Sequence, residues 1–215
     1  GCNYTSLMTY NDFVIPNALL LLHDIKEGVY PFDNDIRSNF NFTKINTSID
    51  AGINFIIKSQ IIANGNHTIW GQQHDPYTFQ SLPGRSYELE CKASAESAGM
   101  TLVLLNWKNR TSDINNATWS SVKWFEENAI YGYSFDPHSG SILESNNSLM
   151  WYRYYNVSDD QYFMAGRDGI KVYNLNDLTE ERRTGYRWAS NWAQGIIEEA
   201  SKISENERIM YFKII

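Results

Sequence analysis

Within FTKINTSIDAGINFIIKSQ (42–60), Ile45, Ile49, Ile53 and Ile57 recur every fourth residue with polar side chains between them. That spacing lays all four along one stripe of an α-helix. IPNALLLLHDIKEG (15–28) carries Pro16 near its start and Gly28 at its end, the asymmetry of a helix with a fixed entry and a glycine stop. SYELECKASAESAGMTLVLLNW (86–107) reads as a loop leading into an apolar helix. ATWSSVKWFEENAI (117–130) sets Trp119, Val122 and Phe125 on one face. TGYRWASNWAQGIIEEASKI (184–203) places Tyr186, Trp188, Trp192, Ile196 and Ile197 for a last helix, with both tryptophans in the core. Strand-like pieces are confined to 67–73 and 149–155, and long aromatic loops fill the rest. The pattern predicts a mainly α fold of paired helices, and loops of such length in a compact domain carry function.

The chain has 215 residues and is 42% hydrophobic, enough for one domain over 1–215 with a substantial core. A net charge of −7 argues against nucleic acid as a partner. No apolar run approaches the ~20 residues of a membrane span. Eight N-x-[ST] sequons stand at Asn3, Asn41, Asn46, Asn66, Asn109, Asn116, Asn146 and Asn156. With 22 asparagines and about one residue in seven Ser or Thr, chance would give roughly three. The excess points to N-linked glycans and a secreted, extracellular protein. Cys2 and Cys91 suit one disulfide in an oxidising compartment, or a bond from either to another chain.

Polar side chains gather beside aromatics in MTYNDF (8–13), WGQQHDPYTFQSLPGRSYELE (70–90), WYRYY (151–155) and GRDGIKVYNLNDLTEERRTGY (166–186). Tyr and Trp faces stack on sugar rings, and guanidinium groups pair bidentately with carboxylates. Together they favour an anionic carbohydrate.

These stretches, in their order, resemble the catalytic module of family 10 polysaccharide lyases, the pectate lyases. The matching motifs are Thr9–Asp12, Trp70 to Leu89, Glu96–Gly99, Trp151–Tyr155, Arg167–Gly169 and Glu181–Trp192. The resemblance implies a partial (α/α)3 toroid of helical hairpins with long aromatic loops and a few short strands. It also implies calcium-dependent β-elimination of polygalacturonate. Arg167 is then the base, Arg85 clamps the substrate carboxylate, and Asp12 is a metal or substrate carboxylate, with Ca²⁺ as cofactor. Tyr10, His74, Arg153 and Lys171 join Arg85 as candidate substrate contacts.

Simpler roles stand beside these. Asp12 suits a helix N-cap. His74 suits a hydrogen-bonded scaffold or sugar contact better than a base, and Lys171 suits solvent as well as substrate. Arg182 and Arg183 are expected to be structural ion-pair partners. The family's N-terminal third, with a further metal carboxylate, is not matched. Exposed apolar surface is therefore expected to meet another chain or a neighbouring copy. The competing function is a non-catalytic, glycosylated extracellular structural protein, a filament or surface-layer subunit that reuses the lyase fold.

Overall fold

In a computed structural model of the chain, residues 4–32, 34–204 and 208 are described. Cys2 and the sequon at Asn3 lie outside them. The helices are α1 (Val14–Glu27), α2 (Asn34–Arg37), α3 (Phe42–Ser59), α4 (Ser94–Leu105), α5 (Ser112–Glu127), α6 (Glu180–Thr184) and α7 (Gln194–Ser201). Local chemistry marks their ends. Gly28 closes α1 at φ +70°, where a residue without Cβ is unstrained. The Asn41 side chain caps α3 by accepting from the Lys44 N–H, and Thr111 does the same for α5 at the Ile114 N–H. Ile45, Ile49 and Ile53 are buried along α3 and Ile57 is half-buried. Trp119, Val122 and Phe125 are buried on α5.

The expectation of a mainly α toroid is not met. Twelve strands in four antiparallel sheets accompany the seven α-helices among the described residues. In the first sheet Gln73–His74 lies between Met8–Thr9 and Ser81–Leu82. The second runs Lys171–Val172, Tyr162–Ala165, Tyr154–Tyr155, Lys92–Ala93. The third joins Ile130–Asp136 to the long strand Ser141–Tyr152, which also pairs with Ala189–Ser190. A small hairpin pairs Ile62–Ala63 with Asn66–His67. Parts of the segments expected as aromatic loops are thus sheet, because their backbone groups pair with one another across the chain.

The last predicted helix also divides. Tyr186 and Trp188 precede the bridge at Ala189–Ser190, and only Gln194–Ser201 is helical. One core ties the layers. Trp70, Trp151 and Trp188 are fully buried, and each indole N–H donates to a carbonyl, those of Ile56, Phe125 and Arg182. Between α1, α4 and α7 an apolar groove of about 480 Å³ stays open, lined by Phe13, Leu20, Ala98, Leu102, Trp192 and Ile196.

Candidate functional site

The site begins at a buried carboxylate. Glu88 is only 2% exposed and collects four donors: the Arg85 side chain at 2.5 Å, the Arg85 N–H at 3.0 Å, Asn11 Nδ2 at 3.2 Å and Gln73 Nε2 at 3.3 Å. Burial pushes its carboxyl up, but the hydrogen bonds from Arg85 outweigh that and leave it below the ordinary carboxylate range. Glu88 therefore pins three segments at once: the loop carrying Arg85, the strand of Gln73 and His74, and the turn of Asn11 and Asp12. Beside it a cavity of about 230 Å³ is lined by Thr9, Asn11, Gln73, Arg85 and Glu88.

A second junction is the ring of Tyr87. The guanidinium carbons of Arg85, Arg182 and Arg167 stand 4.9, 5.0 and 5.8 Å from its centroid. Arg167 reaches it because its turn lies directly on the Arg85 loop. Ser86 Oγ donates to the Arg167 carbonyl at 3.2 Å. Gly169, at φ +77°, comes so near that a Cβ there would sit 2.6 Å from the Ser86 carbonyl oxygen. Arg85 and Arg167 thus share one face of the molecule.

Both arginines are held as cations. Arg167 donates from Nε and a terminal nitrogen to the two oxygens of Glu181, at 3.0 and 2.5 Å, and this pairing raises its pKa. The hydrogen bond to Glu88 raises that of Arg85. In this arrangement each already holds a glutamate carboxylate, and to bind another or to act as a base either must first leave it.

Arg182 corrects an expectation. Neither it nor Arg183 meets a carboxylate among the described residues. Arg182 is 5% exposed. Its Nε donates to the Ala165 carbonyl, and one terminal nitrogen has no hydrogen-bond partner there. Its planar group lies between Tyr87, Tyr186 and Trp188. After the Arg167 hydrogen bond, its charge also helps hold the Glu181 carboxyl below the ordinary range, so the buried guanidinium adds to the positive charge of the two exposed arginines. The E-R-R spacing gave no sign of it, since i,i+1 arginines after glutamates read as surface ion pairs.

The other candidates divide. Tyr10 and His74 are fully buried and cannot touch a polymer, which corrects their place among the substrate contacts. Tyr10 shares a hydrogen bond with Ser59. His74 accepts the Gly71 N–H at Nε2 and bonds the Phe79 carbonyl through Nδ1. That pattern requires the neutral ring protonated on Nδ1, and burial pushes its pKa down to about 4. His74 is scaffold. Arg153 forms a largely buried pair with Glu96 and lies over Tyr186, one ring behind Arg182. Lys171 is exposed, donates to Asn156 Oδ1 at 2.8 Å and lies over the Phe163 ring.

Asp12 is exposed and does not cap α1, whose N-cap, Phe13, offers no side-chain acceptor. Asp12 and Phe13 instead take successive left-handed conformations, φ 55° and 57°, of the strained kind that collects at functional sites. Asn11 Oδ1 is buried without a partner. Asp12 and Asn11 offer three side-chain oxygens, whereas Ca²⁺ takes six to eight, and no cluster of three His, Cys, Asp or Glu side chains suited to a metal exists among the described residues. The described residues therefore do not by themselves fit a calcium site.

Among the remaining sequons, Asn41, Asn46, Asn66, Asn109 and Asn146 are exposed, and Asn116 and Asn156 are half-buried. Cys91 is buried and pairs with no other cysteine among the described residues. No described helix is long and apolar enough to cross a membrane.

The family model described as pectic acid lyase matches residues 1–197. Among solved structures the chain is similar to a family 10 polysaccharide lyase from Cellvibrio cellulosa, with 33% identity and a TM-score of 0.88 over 94% of this chain and 64% of that one. It is equally similar to a mutant of that lyase in complex with trigalacturonic acid, with 32% identity and a TM-score of 0.88 over 95% and 65%. The chain thus spans about 64–65% of the length of these structures. No curated protein matches it by sequence.

Proposed function

Because the chain belongs to the pectic acid lyase family, we propose that it cleaves polygalacturonate-type polysaccharide by β-elimination at the Tyr87 arginine cluster. The observation that carries this reading is the convergence of Arg85, Arg167 and Arg182 on one ring. Three guanidinium groups suit a polymer that bears a carboxylate on every sugar, as in the trigalacturonate bound by the solved relative.

In the reaction a base removes the proton on C5, next to the uronate carboxyl. The electron pair forms the C4–C5 double bond, the bond to the leaving oxygen at C4 breaks, and that oxygen takes up a proton. Cations on the uronate carboxylate acidify the C5 proton and hold the charge that develops as it leaves. The exposed Arg85 and Arg167 are suited to that role, and Arg182, buried behind the same ring, adds positive charge to the site. Arg167, as the base that its R-D-G motif implies, would first exchange Glu181 for the incoming substrate. Neighbouring cations then disfavour its charged form. The cavity supports a second assignment, with Arg85 as base. Arg85 lines that cavity and is the less exposed of the two, at 50% against 62% for Arg167.

Comparing Arg85→Ala with Arg167→Ala separates the roles. The base variant should lose turnover by about a hundredfold or more while still binding trigalacturonate, and the clamp variant should lose binding. Retained turnover in both would overturn the proposal. Calcium dependence is part of it, with Asp12 as one ligand of a site that the described residues alone do not complete, as are secretion and N-glycosylation at the sequons.

A further inference from the structure

Tyr87 takes no part in the reaction as derived, yet its ring is the feature that the three arginines share. They come from three separate segments: Arg85 from the loop after Ser81–Leu82, Arg167 from the turn before Lys171–Val172, and Arg182 from α6. Each has a different second partner, namely Glu88, Glu181 and the Ala165 carbonyl. Like charges brought this close repel, and the electron-rich face of a half-buried tyrosine attracts each of them.

Resting on the uronate-binding reading, we propose that Tyr87 is a positioning residue. Its ring sets where the three guanidinium groups stand, and so the spacing at which the two exposed ones, Arg85 and Arg167, meet the carboxylates of an oligogalacturonate. Two of the three carry an internal glutamate that an incoming carboxylate can replace. The ring keeps them in place during that exchange, when neither partner holds them. The role belongs to the aromatic face and not to the hydroxyl, so phenylalanine should serve and an aliphatic side chain should not.

The test is titration of trigalacturonate into the parent protein, Tyr87→Phe and Tyr87→Leu at fixed calcium, with melting temperature recorded alongside. A series of fluorinated phenylalanines at 87 keeps the ring's shape while draining its π density, and stands in should the leucine variant fail to fold. The expected result is a dissociation constant within about threefold of the parent for Tyr87→Phe and about tenfold or more weaker for Tyr87→Leu. Binding should weaken stepwise with fluorination at an unchanged melting temperature. Parent-like binding by Tyr87→Leu, no trend with fluorination, or equal losses in Phe and Leu would overturn the inference alone. No binding by the parent would overturn the underlying reading and this inference with it.

Discussion

Single side chains here show their work by how they are partnered. Arg182 is buried among three rings with one donor unfilled. A lysine cannot stack as a plane or bind bidentately, so Arg182→Lys as well as Arg182→Ala should weaken trigalacturonate about tenfold or more, read by calorimetric titration. His74 makes the opposite case, a polar residue used for structure. Its folded pKa is lowered to about 4, below the ordinary imidazole value of about 6.5. Above that value neither state is charged and nothing is lost. As pH falls from about 6.5 to 4, the unfolded chain takes up a proton that the fold refuses. Stability should therefore drop by about 3 kcal/mol across that window and level off below it. Urea unfolding at pH 7 and pH 5 should show the slope, and His74→Gln should flatten it.

At the scale of elements, the sequence was most legible where one period dominated. The stripe of Ile45, Ile49 and Ile53, and the face of Trp119, Val122 and Phe125, became buried faces of α3 and α5. The hairpin of Ile130–Asp136 and Ser141–Tyr152 was missed although signals existed. Tyr131, Tyr133 and Phe135 alternate, and Asp136 to Gly140 form its turn, with the Asp136 carboxylate accepting two backbone N–H groups. Tyr131 and Tyr133 are exposed, so the alternation did not mark a core face. The two-residue strands were beyond any periodicity, since they exist through long-range pairing alone. The same holds for the site: motifs gave Arg85 and Arg167, but the shared ring and the burial of Tyr10 depend on contacts distant in sequence. Contact between the two arginine-bearing segments rests on Gly169. Gly169→Ala adds a Cβ against backbone at positive φ and should cost about 1–3 kcal/mol. Its uronate binding should fall as well, measured by denaturation and titration on one preparation.

The whole molecule carries a net charge of −7, so a polyanionic substrate meets repulsion at long range and attraction only at the arginine cluster. At 0.1 M salt the screening length is about 10 Å, short enough to hide the distant acidic surface from a bound sugar. The fold serves this local reversal of charge. Glu88 fixes one arginine loop from below, Gly169 lets the second lie against it, and α6 delivers the third through a buried cage. The most direct measurement is the ultraviolet absorbance of unsaturated uronates released from polygalacturonate. It should be followed with calcium and with chelator, for the parent, Arg85→Ala and Arg167→Ala. The account predicts calcium-dependent product from the parent and a fall of about a hundredfold or more in at least one variant. No product from folded protein at any pH or calcium concentration, or product undiminished in both variants, would contradict it.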